Sequence, residues 1–203
     1  MRSMLAIIAL LAGCTCGPQG GGTPVPHEAP AQRAETPSAE APAQPEFEDA
    51  AGGLAWRAEE PLISRRPSSP MRAAEYAVRD HEGAELTVFH FGRDQGGGVD
   101  ENVARWVDQF EQPDGRPSRE VAVIERAEVN GIRVTRVQVA GAFAGMRGMG
   151  GGGGAAQPGY RLLGAIAEGP DGMVFFKLTG PEAAVQDASS AFESLIASLH
   201  PAG

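Results

Sequence analysis

The chain holds two cysteines, Cys14 and Cys16, with one residue between them. Two are too few for a disulfide scaffold, so a folded domain here must rest on a hydrophobic core. A redox CxxC pair needs two intervening residues, and a disulfide between residues two apart is strained. No apolar run approaches the roughly 20 residues that a membrane-spanning helix needs. Positive charge is also short: the formal net charge is -9, which argues against nucleic acid and against electrostatic docking on anionic lipid. HExxH, paired CxxC, EF-hand and GxSxG patterns are missing. Without them the sequence nominates no catalytic residue and implies no cofactor.

What is present begins at the N-terminus. Arg2 and the initiator amine form a short positive region, and Met4 to Ala12 form an apolar stretch of signal-peptide length. The stretch ends in Leu11-Ala12-Gly13-Cys14, which resembles a bacterial lipobox. The resemblance implies a signal peptide over 1–13, cleavage before Cys14, and a lipid on that cysteine. Cys16 follows Gly13-Cys14-Thr15, with a branched residue where a small one is needed, and has no thiol partner once Cys14 is acylated. More than one acyl chain meets the two-signal requirement for stable anchoring. Thr15 is not the aspartate that marks inner-membrane retention in enteric bacteria. The expected location is therefore the cell envelope, at the outer membrane if the host is Gram-negative.

Residues 14–53 are dominated by Pro, Ala, Gly, Glu and Gln, with Phe47 almost the only large apolar side chain. Such a segment buries too little surface to offset its ordering entropy. It reads as a disordered tether with a coil end-to-end distance of roughly 35 Å. His27 lies in it without a second imidazole nearby.

Residues 54–203 suffice for one well-packed domain. Leu54 to Ala58 reads as a first strand, and Met71 to Arg79 with Ala84 to Phe91 as a hairpin. In the latter strand Leu86 and Val88 face one way and Thr87, Phe89 and Phe91 the other, as expected of a central strand covered on both sides. Val99, Val103, Trp106, Val107 and Phe110 have helical spacing, predicting a helix from Val99 to Gln112 with Asp100 as N-cap and Pro113 as its stop. Val121 to Val129 and Ile132 to Ala140 flank Asn130-Gly131, a strong hairpin signal. In the second of these the apolar parity changes, through either a bulge near Arg136 or burial on both faces. Tyr160 to Glu168 and Met173 to Thr179 form another hairpin, after which Pro181 opens a long amphipathic helix ending at His200-Pro201.

Paired strands with helices inserted between and after them predict an α+β fold, an antiparallel sheet with helices packed on it. The element order and the closing FESLIASL helix resemble the Mog1/PsbP-like α/β/α sandwich. The blocks SPMRAAEY, LTVFHFG, NVARWVDQFEQPDGRPS, YRLLGAI and FFKLTGPEAAV resemble secreted proteins of Planctomycetes and Myxobacteria-like organisms. These resemblances imply a fold and transfer no functional residue.

The remaining constellations are sparse. Gly96-Gly97-Gly98 precedes a helix, but Asp100 and Glu101 put negative charge where a phosphate would sit. His81, Glu82, His90 and Asp94 are one metal candidate, though a hairpin can hold the two histidines at opposite ends. Met146 and Met149, in a glycine-rich connection, are a second, since thioethers hold copper(I). Neither set reaches a convincing four-ligand shell, so no metal site is assigned. Trp106 falls on the apolar stripe of its helix, where core packing is expected, and Arg105 points elsewhere. Trp56 could line a cleft. Three classes follow, in order: a non-catalytic envelope lipoprotein whose domain docks a protein partner or the cell-wall assembly, an envelope copper or zinc binder, and an enzyme whose site lacks motif spacing.

Overall fold

The computed structural model describes residues 48–145 and 155–203. The signal segment, Cys14, Cys16, most of the tether and the Met146/Met149 loop lie outside the described residues. No described helix is long and apolar enough to cross a membrane.

Among the described residues the fold includes Glu48, ahead of the composition break at Gly53. Strand β1 (Glu48–Ala51) pairs antiparallel with β2 (Leu54–Arg57) across Gly52 and Gly53, whose φ values of 63° and 75° lie in the region that favours glycine. Its apolar content is small, so composition assigns it to the tether. What fixes it is distant in sequence: the buried Tyr76 hydroxyl donates to the Asp49 carboxylate, and Trp56 Nε1 donates to that same hydroxyl at 2.9 Å. Trp56 is fully buried and lines no cleft.

Strands β3 (Leu62–Arg65), β4 (Arg72–Val78) and β5 (His81–His90) form one side of the main sheet. Of β3 only Leu62 is buried, so it carries too little apolar signal to be read from sequence. Helix α1 (Val99–Val107) follows, shorter than its periodicity predicts, with Gly98 rather than Asp100 as N-cap. Phe110 stays buried in the same cluster as Trp106, but Phe110–Glu111 is already strand β6. Periodicity registers burial and is blind to that change of backbone.

After a 3₁₀ turn at Ser118–Glu120, β7 (Val123–Val129) and β8 (Ile132–Phe143) meet at Asn130-Gly131, both with positive φ as the tight turn requires. The Asn130 side-chain amide donates to the Leu199 carbonyl at 2.8 Å, which ties this turn to the C-terminal helix end. In β8 burial on both faces accounts for the parity change: Ile132 and Val134 join one core, Val137 and Val139 the other, and the register shift falls at Gly141/Phe143.

Strands β9 (Gln157–Gly169) and β10 (Gly172–Pro181) lead into α2 (Glu182–Asp187) and α3 (Ser189–Ala197). The single closing helix expected from sequence is interrupted at Ala188. Strand β11 (His200–Pro201) then pairs with β2.

The result is an α+β sandwich. An antiparallel eight-stranded sheet runs β3-β4-β5-β10-β9-β8-β6, with β7 also on β8, and β1-β2-β11 form a separate small sheet. The larger core unites one sheet face with β2, α2 and α3 through Trp56, Tyr76, Phe176, Phe192, Leu195 and others. On the opposite face Val103, Trp106 and Val107 of α1 pack on Val137, Leu162, Ile166 and Phe175.

Candidate functional site: the half-covered face of the sheet

Strand register builds the site. One row crosses the sheet on the α1 side: Arg65 lies opposite Glu75, Glu75 opposite Thr87, Thr87 opposite Lys177, Lys177 opposite Gly164, and Gly164 opposite Val137. At the Gly164 end the Trp106 ring rests on the strand backbone, where an added Cβ would stand 2.6 Å from its Cζ3. Helix α1 thus covers the apolar half of the row. The polar half stays open as a cleft of ≈ 450 Å³, within the size range of small-ligand pockets.

Phe89, Phe143 and Tyr160 give the cleft an aromatic lining, and its charged lining is Arg65, Arg72 and Lys177 against Glu85. Cations outnumber carboxylates here in a protein that is acidic as a whole. Arg72 is already neutralised, with Glu75 at 2.9 Å and Glu85 at 3.2 Å. The Ser68 backbone N–H, first, and then the Ser68 side chain and Arg72 hold the buried Glu75 carboxyl below its usual range despite desolvation.

Lys177 differs from the arginines. It is the only lysine in the chain. Its ammonium donates to Gln109 Oε1 at 2.6 Å and lies 5.6 Å from the centroid of the Phe143 ring. Among the described residues no carboxylate reaches ion-pair distance of it. Burial, first, pushes its pKa down to about 8, with the Arg72 charge acting in the same direction and Glu85 opposing. Two residues along the same strand face, the buried Thr179 Oγ1 has no hydrogen-bond partner among the described residues.

The groups weighed from sequence are not gathered into this cleft. His81 and His90 occupy opposite ends of β5; His81 Nε2 lies 2.9 Å from Asp187 Oδ2 and His90 Nε2 3.1 Å from the Asp171 carbonyl oxygen. Among the described residues no three His, Cys, Asp or Glu side chains cluster as metal ligands would. At the Gly96–Gly98 loop the Gly98 N–H donates to Glu101 Oε2 at 3.2 Å, and Asn102 Nδ2 donates to the Gly96 and Gly98 carbonyls, so the chain's own side chains occupy the loop. Trp106 is buried and Arg105 exposed, as their positions on the stripe imply. Sequence reasoning passed over Lys177 and Thr179. The available signal was a lone lysine and a threonine at alternate positions of a strand that also carries Val174, Phe175, Phe176 and Leu178.

No family model matches the chain, and no curated protein does. Among solved structures it is similar to the cyanobacterial PsbP protein CyanoP of Synechocystis sp. PCC 6803, at 13% identity and a TM-score of 0.48, over 77% of this chain and 91% of that one. It is also similar to a Pseudomonas aeruginosa protein of unknown function, at 12% identity and a TM-score of 0.39, over 70% of this chain and 82% of that one.

Proposed function

We propose that the chain is a lipid-anchored protein of a bacterial envelope whose domain docks a protein partner without catalysing a reaction on it. Cys14 carries the lipid, the segment ahead of Glu48 is the tether, and the cleft on the α1 side of the sheet is the recognition surface. The single observation that carries this reading is the uneven covering of the sheet. One face is closed by α2, α3 and β2, whereas the other leaves Arg65, Lys177 and Thr179 around an open cleft. The Leu-Ala-Gly-Cys motif supports the anchor, and the net charge of -9 supports lipid rather than charge as the means of attachment. Tethering then raises the effective concentration of the domain near a membrane-bound partner.

The test is photo-cross-linking in intact cells, with the reactive residue placed at Arg65 on the cleft rim or at Glu193 on α3. A discrete adduct from position 65, absent from position 193 and lost with Cys14→Ala, is the expected result. In the same cells Cys14→Ala should take up no labelled palmitate. Equal adducts from both positions, or undiminished labelling of the variant, would remove the docking and the anchor assignments respectively.

A further inference from the structure

The cleft contains two polar groups that the fold itself leaves short of partners, and they sit on one strand face. Lys177 offers an ammonium that donates to the neutral Gln109 side-chain amide. Thr179 offers a buried hydroxyl with no hydrogen-bond partner among the described residues. A half-buried ammonium without an ion-pair partner and a buried hydroxyl without a hydrogen-bond partner are both unfavourable, and one anionic group between them would relieve both. The balance around them limits that group to a single charge. Arg72 is held by Glu75 and Glu85, and Arg65 is exposed at the rim, so Lys177 is the one desolvated cation that remains unneutralised. A compact monoanion matches it, whereas a phosphate dianion would bring a second charge close to Glu85.

The lining beyond the anchor is aromatic. Phe143 and Tyr160 stack with ring centroids 5.7 Å apart, and Phe89 completes the group. Resting on the reading of this cleft as a recognition surface, we infer that it binds a monoanionic carboxylate borne beside an apolar or aromatic group, through Lys177 and Thr179. Two sources present that chemistry: a free organic acid, or the C-terminal carboxylate of a protein that ends in an apolar residue. Lysine suits the task because its ammonium is a compact point charge that fits a narrow floor, where a planar guanidinium would need bidentate geometry.

The solitary lysine makes the test direct. The full-length chain labelled with ¹³C only at lysine should give one side-chain ε resonance, from Lys177, and its pH titration reports the ammonium. The probes are 3-phenylpropionate, its amide, the peptide N-acetyl-Gly-Phe with a free carboxylate, the same peptide amidated, and inorganic phosphate. At least one of the acids should move the resonance and raise its apparent pKa, with calorimetric affinity at least tenfold above that of the matching amide. A preference for the peptide identifies a chain terminus as the source; a preference for phenylpropionate identifies a free acid. Lys177→Met should lose at least tenfold in affinity and Thr179→Val several-fold, while Arg105→Ala changes it less than twofold. A cooperative unfolding transition in each variant checks that the fold is kept.

Equal binding of acid and amide, undiminished binding in Lys177→Met, or phosphate binding as tight as either acid would overturn the carboxylate assignment. If the acids fail while cross-links still form from position 65, the ligand chemistry is wrong and docking stands. If the acids bind and no cross-link forms, docking falls and the carboxylate site stands.

Discussion

Replacing Lys177 with methionine should stabilise the protein at neutral pH and destabilise it, relative to wild type, in alkali. The native ammonium has a pKa of about 8 against an ordinary 10.5. At about 1.4 kcal/mol per unit, the folded state bears a penalty of about 3 kcal/mol for holding the charge. Between pH 8 and 10.5 the unfolded chain binds more protons at this position than the folded one, so wild-type stability rises with pH across the window and levels off above it. Methionine removes the charge at similar volume but leaves Gln109 Oε1 without its donor, an opposing loss of about 1–3 kcal/mol. The net gain at pH 7 is then about 1 kcal/mol, turning into a deficit of about 2 kcal/mol near pH 11. Urea unfolding of both proteins at pH 7, 9 and 11 measures the difference. A wild-type-minus-variant gap that stays constant across these pH values would refute the reasoning, because it would mean that the ammonium is as well solvated in the fold as outside it.

Three further perturbations probe the scaffold. Gly164→Ala places a methyl 2.6 Å from Trp106 Cζ3 and 2.8 Å from Val137 Cγ1, so it should lower stability by about 1–3 kcal/mol in urea and shift the Trp106 fluorescence; a wild-type midpoint would show that α1 does not rest on β9. Trp106→Ala and Phe192→Ala, at 7% and 1% exposure, should each cost about 3–5 kcal/mol, against little change for the exposed Arg105→Ala. Asp49→Ala withdraws the acceptor of the buried Tyr76 hydroxyl and should cost about 1–3 kcal/mol. Unchanged stability there would mean that residues 48–51 do not share the cooperative unit.

The sequence by itself determined what local period and local turn chemistry can encode. The Asn130-Gly131 hairpin, the both-sided strand around Leu86 to Phe89, the buried stripe of Trp106 and the order of the longer strands around α1 all follow from side chains close together in the chain, whose spacing matches 2 or 3.6 residues. Elements with weak local signals were decided by the tertiary structure. Strand β1 is held by Asp49 meeting Tyr76, β3 by a single buried leucine, and β6 by a backbone change beneath an unbroken apolar pattern. The candidate site belongs to this second class. Lys177, Thr179, Arg65 and Glu85 come from three strands, and only the register that aligns them, together with a helix that covers half of the face, turns four ordinary strand residues into one cleft. Desolvation of Lys177 depends on what surrounds it in space, and no spacing along the chain encodes that.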